Sequence, residues 1–374
     1  MAKYGIALDL GTTNLEAALV DMEGGAVLEQ IIEANSQKLY GRDVMTRINA
    51  SCRGKGEQLC QLIKGQTGQI IRYFAEKYAY TGQFYRLLVA GNTTMINLFM
   101  HADVTGLSHV PFTAEYLDYM QFTGDKMGYP LHNFCFLPSL SAFFGADVLG
   151  GLMILTANHA NHANNTNNTN KNWLFMDLGT NAEMAVYDGK NNQFFCSSAA
   201  AGPVFENFVD EKGDMMFGSQ LIDEMARLLD EEIIDESGKL LRPAQNDKIT
   251  QKKVRDFQLA KGAIAAGIEI LLKEAGLAKN AIDAVYVAGN LGNNLNAKSA
   301  LRTGLIPAAI GKTVEDAASS IQACGNLSLK AAITAVLDDS FGSRCEELRS
   351  RCKAINLAED PAFSDLFVDN MGFE

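Results

Sequence analysis

The sequence is poor in the residue types on which small secreted and fibrous proteins depend. Its 374 residues include 7 prolines, 7 cysteines and 1 tryptophan. An odd number of cysteines, spread over a chain of this length, gives no disulfide framework, so we expect reduced thiols. The 33 glycines follow no triplet repeat, which excludes a collagen-like chain.

Positive charge is also scarce. Lysine and arginine number 32 against 44 acidic residues, which gives a formal net charge of −12. Binding to nucleic acid or to an anionic membrane needs basic surface that displaces counterions, so neither is expected here. With 47% hydrophobic and 20% charged residues, the chain has enough apolar content for two or three folded domains.

Long apolar runs are missing as well. Nothing approaches the ~18 uninterrupted apolar residues of a membrane helix. Residues 1–4 lead directly into a strand-like stretch, without the apolar region of a signal peptide. We therefore expect a soluble, cytoplasmic protein.

An asparagine-rich segment at residues 158–172 divides the chain. Asparagine competes with regular structure by bonding its own backbone, and the segment has no apolar period. We predict a linker or loop here, between a first lobe at 1–157 and a second lobe at 173–325. A C-terminal helix and tail, 326–374, are predicted to pack back on the first lobe.

The two halves begin alike. Residues 4–21 read YGIALDLGTTNLEAALVD, and residues 173–188 read WLFMDLGTNAEMAVYD. Each is an apolar strand, an Asp-Leu-Gly-Thr turn and an alternating strand that ends in Asp, which is the pattern of a β-hairpin. The repetition predicts two lobes of like fold.

Apolar spacing further along each half predicts an alternation of helices and strands. Helices are expected at 59–80, 91–100 and 257–275, and buried strands at 85–89 and 284–288. The fold class that follows is α/β, with mixed sheets flanked by helices.

The first hairpin turn, residues 9–14 (DLGTTN), has the parts of a phosphate clamp. Gly11 lets backbone amides approach anionic oxygens, and Asp9 can hold Mg²⁺ through its water shell. A plain hairpin turn explains a single copy as well. The second copy, residues 177–181 (DLGTN), favours a nucleotide held between two lobes.

A third element follows in the second half. Residues 285–293 (VYVAGNLGN) form a strand that runs into a turn with Gly289 and Gly292. Glycines at these places permit a nucleoside to approach the backbone closely. A lone Gly-x-x-Gly is weak evidence, but its position after two Asp-Leu-Gly-Thr hairpins strengthens the nucleotide hypothesis.

This order of parts resembles the superfamily of acetate and sugar kinases, heat-shock chaperone ATPase lobes and actin. The resemblance implies two ribonuclease H-like lobes with Mg-ATP in the cleft between them. A narrower resemblance rests on six segments, at 39–48 (LYGRDVMTRI), 89–95 (VAGNTTM), 201–206 (AGPVFE), 258–264 (QLAKGAI), 299–307 (SALRTGLIP) and 356–363 (NLAEDPAF). By these the chain is similar to the ATPase region of the reductive activators of corrinoid proteins, over nearly its whole length.

The resemblance implies an activity and its partners. The expected activity is ATP hydrolysis with Mg²⁺, coupled to the reduction of cobalt(II) to cobalt(I) in a corrinoid protein of one-carbon metabolism. The expected assembly is a homodimer. Activators of this family commonly carry an N-terminal domain with an iron–sulfur cluster, whereas this chain has no closely spaced cysteine quartet. We therefore expect no iron–sulfur cluster in this chain and a separate low-potential electron donor.

The resemblance also implies a set of site residues. Asp9 and Asp177 would hold Mg²⁺, and with Glu183, which would orient a water, they form the catalytic set. The nucleotide-binding set is Gly11, Thr12, Thr13, Asn14, Asn92, Thr93, Gly179, Thr180, Asn181, Gly202, Lys261, Gly289, Asn290 and Gly292.

Structural alternatives stay open for four of these residues. Asn92 or Thr93 could simply cap a helix. Lys261 could extend to water from an apolar helix, and Glu183 could be an ordinary strand-surface charge. Two departures from the family pattern are Asn290–Leu291 between the loop glycines and Ala182 after the second turn.

Two other functions also stay open. One is a small-molecule kinase or phosphatase of the same superfamily, which would need a base close to the γ-phosphate. The other is a non-enzymatic, actin-like scaffold that responds to nucleotide.

Overall fold

The computed structural model describes residues 3–163, 171–179, 181–205, 208–209, 215–241, 249–307, 310 and 314–373. Its strands are β1 Tyr4–Leu10, β2 Asn14–Asp21, β3 Val27–Ala34, β4 Phe84–Gly91, β5 Met120–Thr123, β6 Leu131–Phe136, β7 Trp173–Leu178, β8 Ala182–Asp188, β9 Gln193–Ala199, β10 Phe208–Val209, β11 Met215–Met216, β12 Ala284–Ala288, β13 Ile321–Gly325 and β14 Cys352–Ala354.

The helices are α1 Val44–Ala50, α2 Gly56–Lys77, α3 Thr93–Phe99, α4 Gly124–Met127, α5 Ala146–Ala163, α6 Gly218–Asp230, α7 Gln251–Ala275, α8 Gly289–Asn293, α9 Ala297–Arg302, α10 Val314–Ser320, α11 Leu327–Leu337, α12 Phe341–Arg349 and α13 Phe363–Asp369. None of them, within the described ranges, is both long and apolar enough to cross a membrane.

The chain forms two compact units. The first comprises Met1–His162 and Leu327–Arg351, and the second comprises Ala163–Asn326 and Cys352–Glu374. The C-terminal region expected to pack on the first lobe is therefore divided. Helices α11 and α12 belong to the first unit, whereas β14 pairs with β9 and α13 packs on α7 in the second.

Each unit has a six-stranded mixed sheet. The order is β3-β2-β1-β4-β6-β5 in the first and β13-β12-β7-β8-β9-β14 in the second. In both, three antiparallel strands from consecutive hairpins continue into two parallel strands that arrive by helical crossovers. The sequence prediction of two like lobes with mixed sheets is confirmed.

The predicted helices and strands are confirmed with shifts at their ends. Helix α2 buries Leu59, Ile63, Ile70 and Phe74 on one face, as the apolar spacing required. In the first unit α11 packs against β1 and β4, and in the second α7 packs against β8 and β9. Helix α11 thus covers β1, which ends in the first Asp-Leu-Gly-Thr turn, and α7 covers β8, which begins after the second.

The asparagine-rich segment begins as helix. Helix α5 continues through Ala163, so residues 158–163 are helical where a linker was predicted. The alanines interspersed there have the highest helix propensity and extend the helix into the asparagine run. Residues 164–170 lie outside the described residues.

Candidate functional site

The first hairpin turn, hairpin 1 (residues 9–16), lies at the carboxyl ends of β1 and β4. Asp9 on β1 is opposite Glu16 on β2 and beside Ala90 on the parallel strand β4. Because directly opposed residues of an antiparallel pair share a face, the carboxylates of Asp9 and Glu16 are on the same side of the sheet. Glu16 was not predicted as a site residue.

Three consecutive carbonyls of the hairpin 1 loop are bonded to groups from one neighbouring segment. The side-chain amide of Asn35 donates to the Gly11 carbonyl (2.9 Å), and Arg47 donates to the Thr12 carbonyl (2.7 Å). The backbone amide of Asn35 donates to the Thr13 carbonyl (2.9 Å). The amides of Thr12 and Thr13 donate to no acceptor in the described part of the chain, so they are available to an anion.

The arginine behind this loop is fully buried. Arg47 also donates to the Gly41 carbonyl (3.0 Å) and to Gln37 Oε1 (3.3 Å). Burial lowers the pKa of Arg47 to about 10, so the guanidinium is charged at neutral pH. It thus places a positive charge directly behind a loop whose amides are free, an arrangement that favours a bound anion.

The rest of the hairpin 1 loop faces solvent. Thr13 and Asn14 are exposed, while Gly11 and Thr12 are partly buried. A Cβ atom at Gly11 would lie 2.5 Å from the Asn14 carbonyl oxygen, so only glycine fits the turn without a shift.

Asn92 connects β4 to hairpin 1. Its side-chain oxygen accepts a hydrogen bond from the Met95 amide and so caps α3, and its side-chain amide donates to Thr12 Oγ1 (3.0 Å). The capping alternative is therefore what the structure shows for Asn92, together with a bond to the loop of hairpin 1. Thr93 is buried, and its hydroxyl donates to the Ser141 carbonyl (2.6 Å).

Asp9 accepts a hydrogen bond from a residue in the C-terminal part of the first unit. The hydroxyl of Ser328, near the start of α11, donates to Asp9 Oδ1 (2.7 Å). This bond stabilises the ionised carboxylate and orients it. Ser328 is 319 residues away in sequence, and no local pattern identifies it.

The second turn, hairpin 2 (residues 177–183), repeats this framework in the second unit. Asp177 on β7 is opposite Glu183 on β8 and beside Ala288 on the parallel strand β12. The Gly179 amide bonds the Asn181 carbonyl across the turn (2.8 Å). Thr180 lies outside the described residues.

The residues after β12, predicted as a glycine turn, form the short helix α8, and this helix begins beside hairpin 2. Gly289 has a left-handed backbone (φ +74°), and a Cβ atom there would lie 2.8 Å from Asp177 Oδ1. A Cβ atom at Gly292 would lie 2.3 Å from the Val287 carbonyl oxygen. The segment predicted to receive the nucleoside therefore starts next to Asp177, the carboxylate predicted to hold the metal. Asn290 belongs to the same short helix.

Asp177 differs from Asp9 in its surroundings. No described residue donates a hydrogen bond to its carboxylate. Burial raises the pKa of Asp177 to about 6, because the charged form is poorly solvated. A divalent cation at this carboxylate would offset that penalty and stabilise the ionised form.

The other predicted residues of the second unit lie at several places. Glu183 is partly buried, and Ser198 donates to its Oε1 (3.3 Å). Gly202 has φ +68° and begins a short 3₁₀ turn after β9. Lys261 is 2% exposed on α7, where its ammonium donates to the Gly372 carbonyl and lies 5.4 Å from the Phe373 ring. The C-terminal tail thus covers Lys261.

The carboxylates of Asp9 and Asp177 are compatible with a hydrated Mg²⁺ ion. Among the described residues, no group of three or more His, Cys, Asp and Glu side chains is placed to hold an ion. Mg²⁺ retains most of its waters and needs only one or two carboxylates together with phosphate oxygens. The single Asp at each hairpin fits such a hydrated ion.

The paired sheets and repeated Asp–Gly turns define the class of proteins known as ASKHA, the acetate and sugar kinase, heat-shock cognate and actin class. The family described as "RACo middle region" matches residues 4–160, and "C-terminal domain of RACo the ASKHA domain" matches residues 171–215 and 208–374. The chain belongs to the RACo family.

Individual relatives agree with this assignment. The chain is 26% identical to the corrinoid activation enzyme RamQ of Eubacterium limosum, over 99% of this chain and 70% of that protein. It is 24% identical to the [Co(II) methylated amine-specific corrinoid protein] reductase of Methanosarcina barkeri, over 99% of this chain and 77% of that one. A solved structure of a reductive activator for corrinoid, iron–sulfur protein matches all of this chain with a TM-score of 0.80 and 25% identity. This chain spans 66% of the length of that structure's chain.

Proposed function

We propose that this chain is the ATP-hydrolysing part of a reductive activator, which promotes the reduction of a cobalt(II) corrinoid protein to the cobalt(I) state. The observation that carries the proposal is the match, over the whole of this chain, to a reductive activator with a TM-score of 0.80. The names of both curated relatives point to the same class of corrinoid substrate. The proposed assembly is a homodimer that works in the cytoplasm.

In this proposal both hairpins bind one Mg-ATP. The free amides of hairpin 1, with Arg47 behind them, would bind phosphate oxygens. Asp9 and Asp177 would hold the hydrated Mg²⁺, and Glu183 would orient the attacking water. The glycine turn at Gly289 would receive the nucleoside.

The remaining predicted residues stay in the proposed nucleotide set with smaller roles. Bound Mg²⁺ would neutralise charge on the phosphates during hydrolysis. The hydroxyls and amides that line the turns would fix the orientation of the nucleotide. These residues are Thr12, Thr13, Asn14, Asn92, Thr93, Gly179, Thr180, Asn181, Asn290 and Gly292. Gly202, in the 3₁₀ turn after β9, stays in the proposed set, whereas the contact of Lys261 with the C-terminal tail gives no support to its proposed role.

The proposed chemistry separates electron supply from activation. Supplying electrons needs a redox centre, which we assign to a separate low-potential donor. Shifting the cobalt coordination needs only a docking surface and a nucleotide-driven change of conformation. Such a shift can be no larger than the difference in affinity of the activator for the two states of the corrinoid protein.

The test is a spectroscopic titration. The Co(II) form of a methylated-amine-specific corrinoid protein is mixed with this chain and Ti(III) citrate, with ATP, with a non-hydrolysable analogue or without nucleotide. We expect the visible spectrum of cobalt(I) to develop with ATP only, and to be absent with Asp177→Ala. An unchanged corrinoid spectrum across several corrinoid proteins, together with phosphorylation of a small metabolite, would support the kinase alternative instead.

A further inference from the structure

Residues 35–55 of the first unit include buried side chains that contact hairpin 1. Asn35, Gln37 and Arg47 are fully buried. Asn35 and Arg47 hold the loop carbonyls, and Gln37 accepts a hydrogen bond from Arg47 (3.3 Å). The buried face of this segment therefore fixes the geometry of the proposed phosphate site.

The solvent face of the same segment is basic. Residues 36–56 contain five basic residues and one acidic residue, in a chain whose net charge is −12. Lys38, Arg42, Arg53 and Lys55 are exposed, and none of the four forms an ion pair within the described ranges. The one acidic residue, Asp43, is engaged as the N-cap of α1.

Two apolar side chains of the same segment are also exposed. Leu39 is 76% exposed, more than any other large apolar side chain in the described part of the protein, and Met45 is 46% exposed. The chain between them is compact, since a Cβ atom at Gly41 would lie 2.2 Å from Thr46 Oγ1. An exposed leucine and methionine in the same short segment as these cations give it the composition of a binding surface.

We propose that this basic surface, formed by Lys38, Leu39, Arg42, Met45, Arg53 and Lys55, is where an acidic face of the corrinoid protein docks. The inference rests on the proposed function and assigns its partner a place on the chain. A protein of net charge −12 repels an acidic partner over most of its surface, so a local basic cluster steers that partner to one position. Leu39 and Met45 supply the apolar contact that holds it.

The position of the surface connects docking to the nucleotide. The same short segment contacts the partner with its exposed residues and the hairpin 1 carbonyls with its buried ones. A displacement of the segment on docking would move Arg47 and Asn35, and with them the loop that binds phosphate. Docking and nucleotide binding would then change each other's affinity by the same factor.

The test measures binding of the Co(II) methylated-amine-specific corrinoid protein to the full chain by biolayer interferometry. The variants are Lys38→Glu/Arg42→Glu and Leu39→Ser, each checked by thermal melting. The matched control is Arg255→Glu/Lys298→Glu, which changes the charge equally at two exposed residues of the second unit. We expect both surface variants to weaken binding about tenfold or more, and the control to change it less than about twofold.

The salt dependence of binding and the molar mass in solution test the docking surface further. The wild-type affinity should fall as salt is raised about tenfold, and the charge-reversed variant should lose that dependence. Equal binding by wild type and both surface variants would overturn the docking surface while leaving the proposed function intact. No binding of wild type to the corrinoid protein would overturn both. Light scattering that shows loss of a wild-type dimer in the surface variants would assign the surface to a second copy of this chain.

Discussion

The two hairpins share a sequence and a sheet position, but they are supported differently. Hairpin 1 is held in its unit by hydrogen bonds from side chains. Asn35 and Arg47 donate to its carbonyls. Asn92 bonds the Thr12 hydroxyl, and Ser328 bonds the Asp9 carboxylate. Its shape is therefore fixed by groups from several parts of the first unit, and its amides are already arranged for an anion.

Among the described residues, fewer side-chain hydrogen bonds reach the turn of hairpin 2. Asp177 receives no hydrogen bond from a described residue, and its nearest constraint is the backbone of Gly289. Burial holds the pKa of Asp177 at about 6. The comparison teaches that one motif can be held by several side chains in one unit and present a poorly solvated carboxylate in the other, where a bound cation would stabilise the charge more.

The largest expected effect is on turnover. Asp9→Ala and Asp177→Ala should each lower ATP hydrolysis by tens of fold or more, since loss of one charged contact at a transferring phosphate costs about 3 kcal/mol. The two variants should differ in their free energy of unfolding. Asp9→Ala leaves the Ser328 hydroxyl without this acceptor and should cost about 1 kcal/mol, whereas Asp177→Ala removes a poorly solvated charge and should cost nothing. Wild-type turnover in either folded variant would refute the site.

Removing the Arg47 side chain should weaken the support of hairpin 1. Arg47→Met keeps the buried volume but leaves the carbonyls of Thr12 and Gly41 without their donor, so the free energy of unfolding should fall by about 3 kcal/mol. Urea denaturation measures the loss. Arg47→Lys is the matched control, because it retains the charge and can restore part of the stability. An unchanged midpoint in Arg47→Met would contradict the claim that this residue holds the loop.

The two turn glycines should also differ. Gly11→Ala places a Cβ atom 2.5 Å from the Asn14 carbonyl and should cost about 2 kcal/mol. Gly179→Ala meets its nearest atom, the Asn181 carbonyl oxygen, at 3.8 Å and should change stability by less than about 0.5 kcal/mol. Thermal melting of both variants tests this, and equal losses would mean that the turns are equally constrained.

A smaller effect is expected from pH. The pKa of Asp177 lies at about 6, above its ordinary value of 3.8, so the folded state binds this proton more tightly than the unfolded state does. The group therefore stabilises the fold at pH values below about 4, and this contribution is lost as the pH rises through about 6. Asp177→Asn should melt above wild type at pH 8, and the difference should vanish near pH 4. A difference that does not vary with pH would contradict the raised pKa.

The parts of this structure that are local in sequence could be predicted. The hairpins, the helix faces of α2 and α7 and the buried strand β12 follow from turn residues and apolar spacing. The hydrogen bonds that support hairpin 1 could not be predicted from the sequence. Arg47 bonds a carbonyl 35 residues away, and Ser328 bonds an aspartate 319 residues away. For the same reason the burial of Lys261 depends on the tail at Gly372, which its own helix pattern does not indicate.

Two expected segment boundaries were wrong in part, because helix propensity and strand pairing extend further than the sequence pattern suggested. The asparagines after residue 157 suggested a linker, but the alanines between them continue α5 to Ala163. The C-terminal region was expected to stay with the first lobe, yet three residues, Cys352–Ala354, pair with β9 and bring the end of the chain into the second unit.

The most direct test of the central claim, that both hairpins serve one nucleotide, is isothermal titration of the full chain with a non-hydrolysable ATP analogue and Mg²⁺. The account predicts one nucleotide per chain in the wild type. It also predicts that Asp9→Ala and Asp177→Ala each weaken Mg²⁺-dependent binding at that single site by about tenfold or more. Two binding events per chain in the wild type, each removed by only one of the two substitutions, would contradict it.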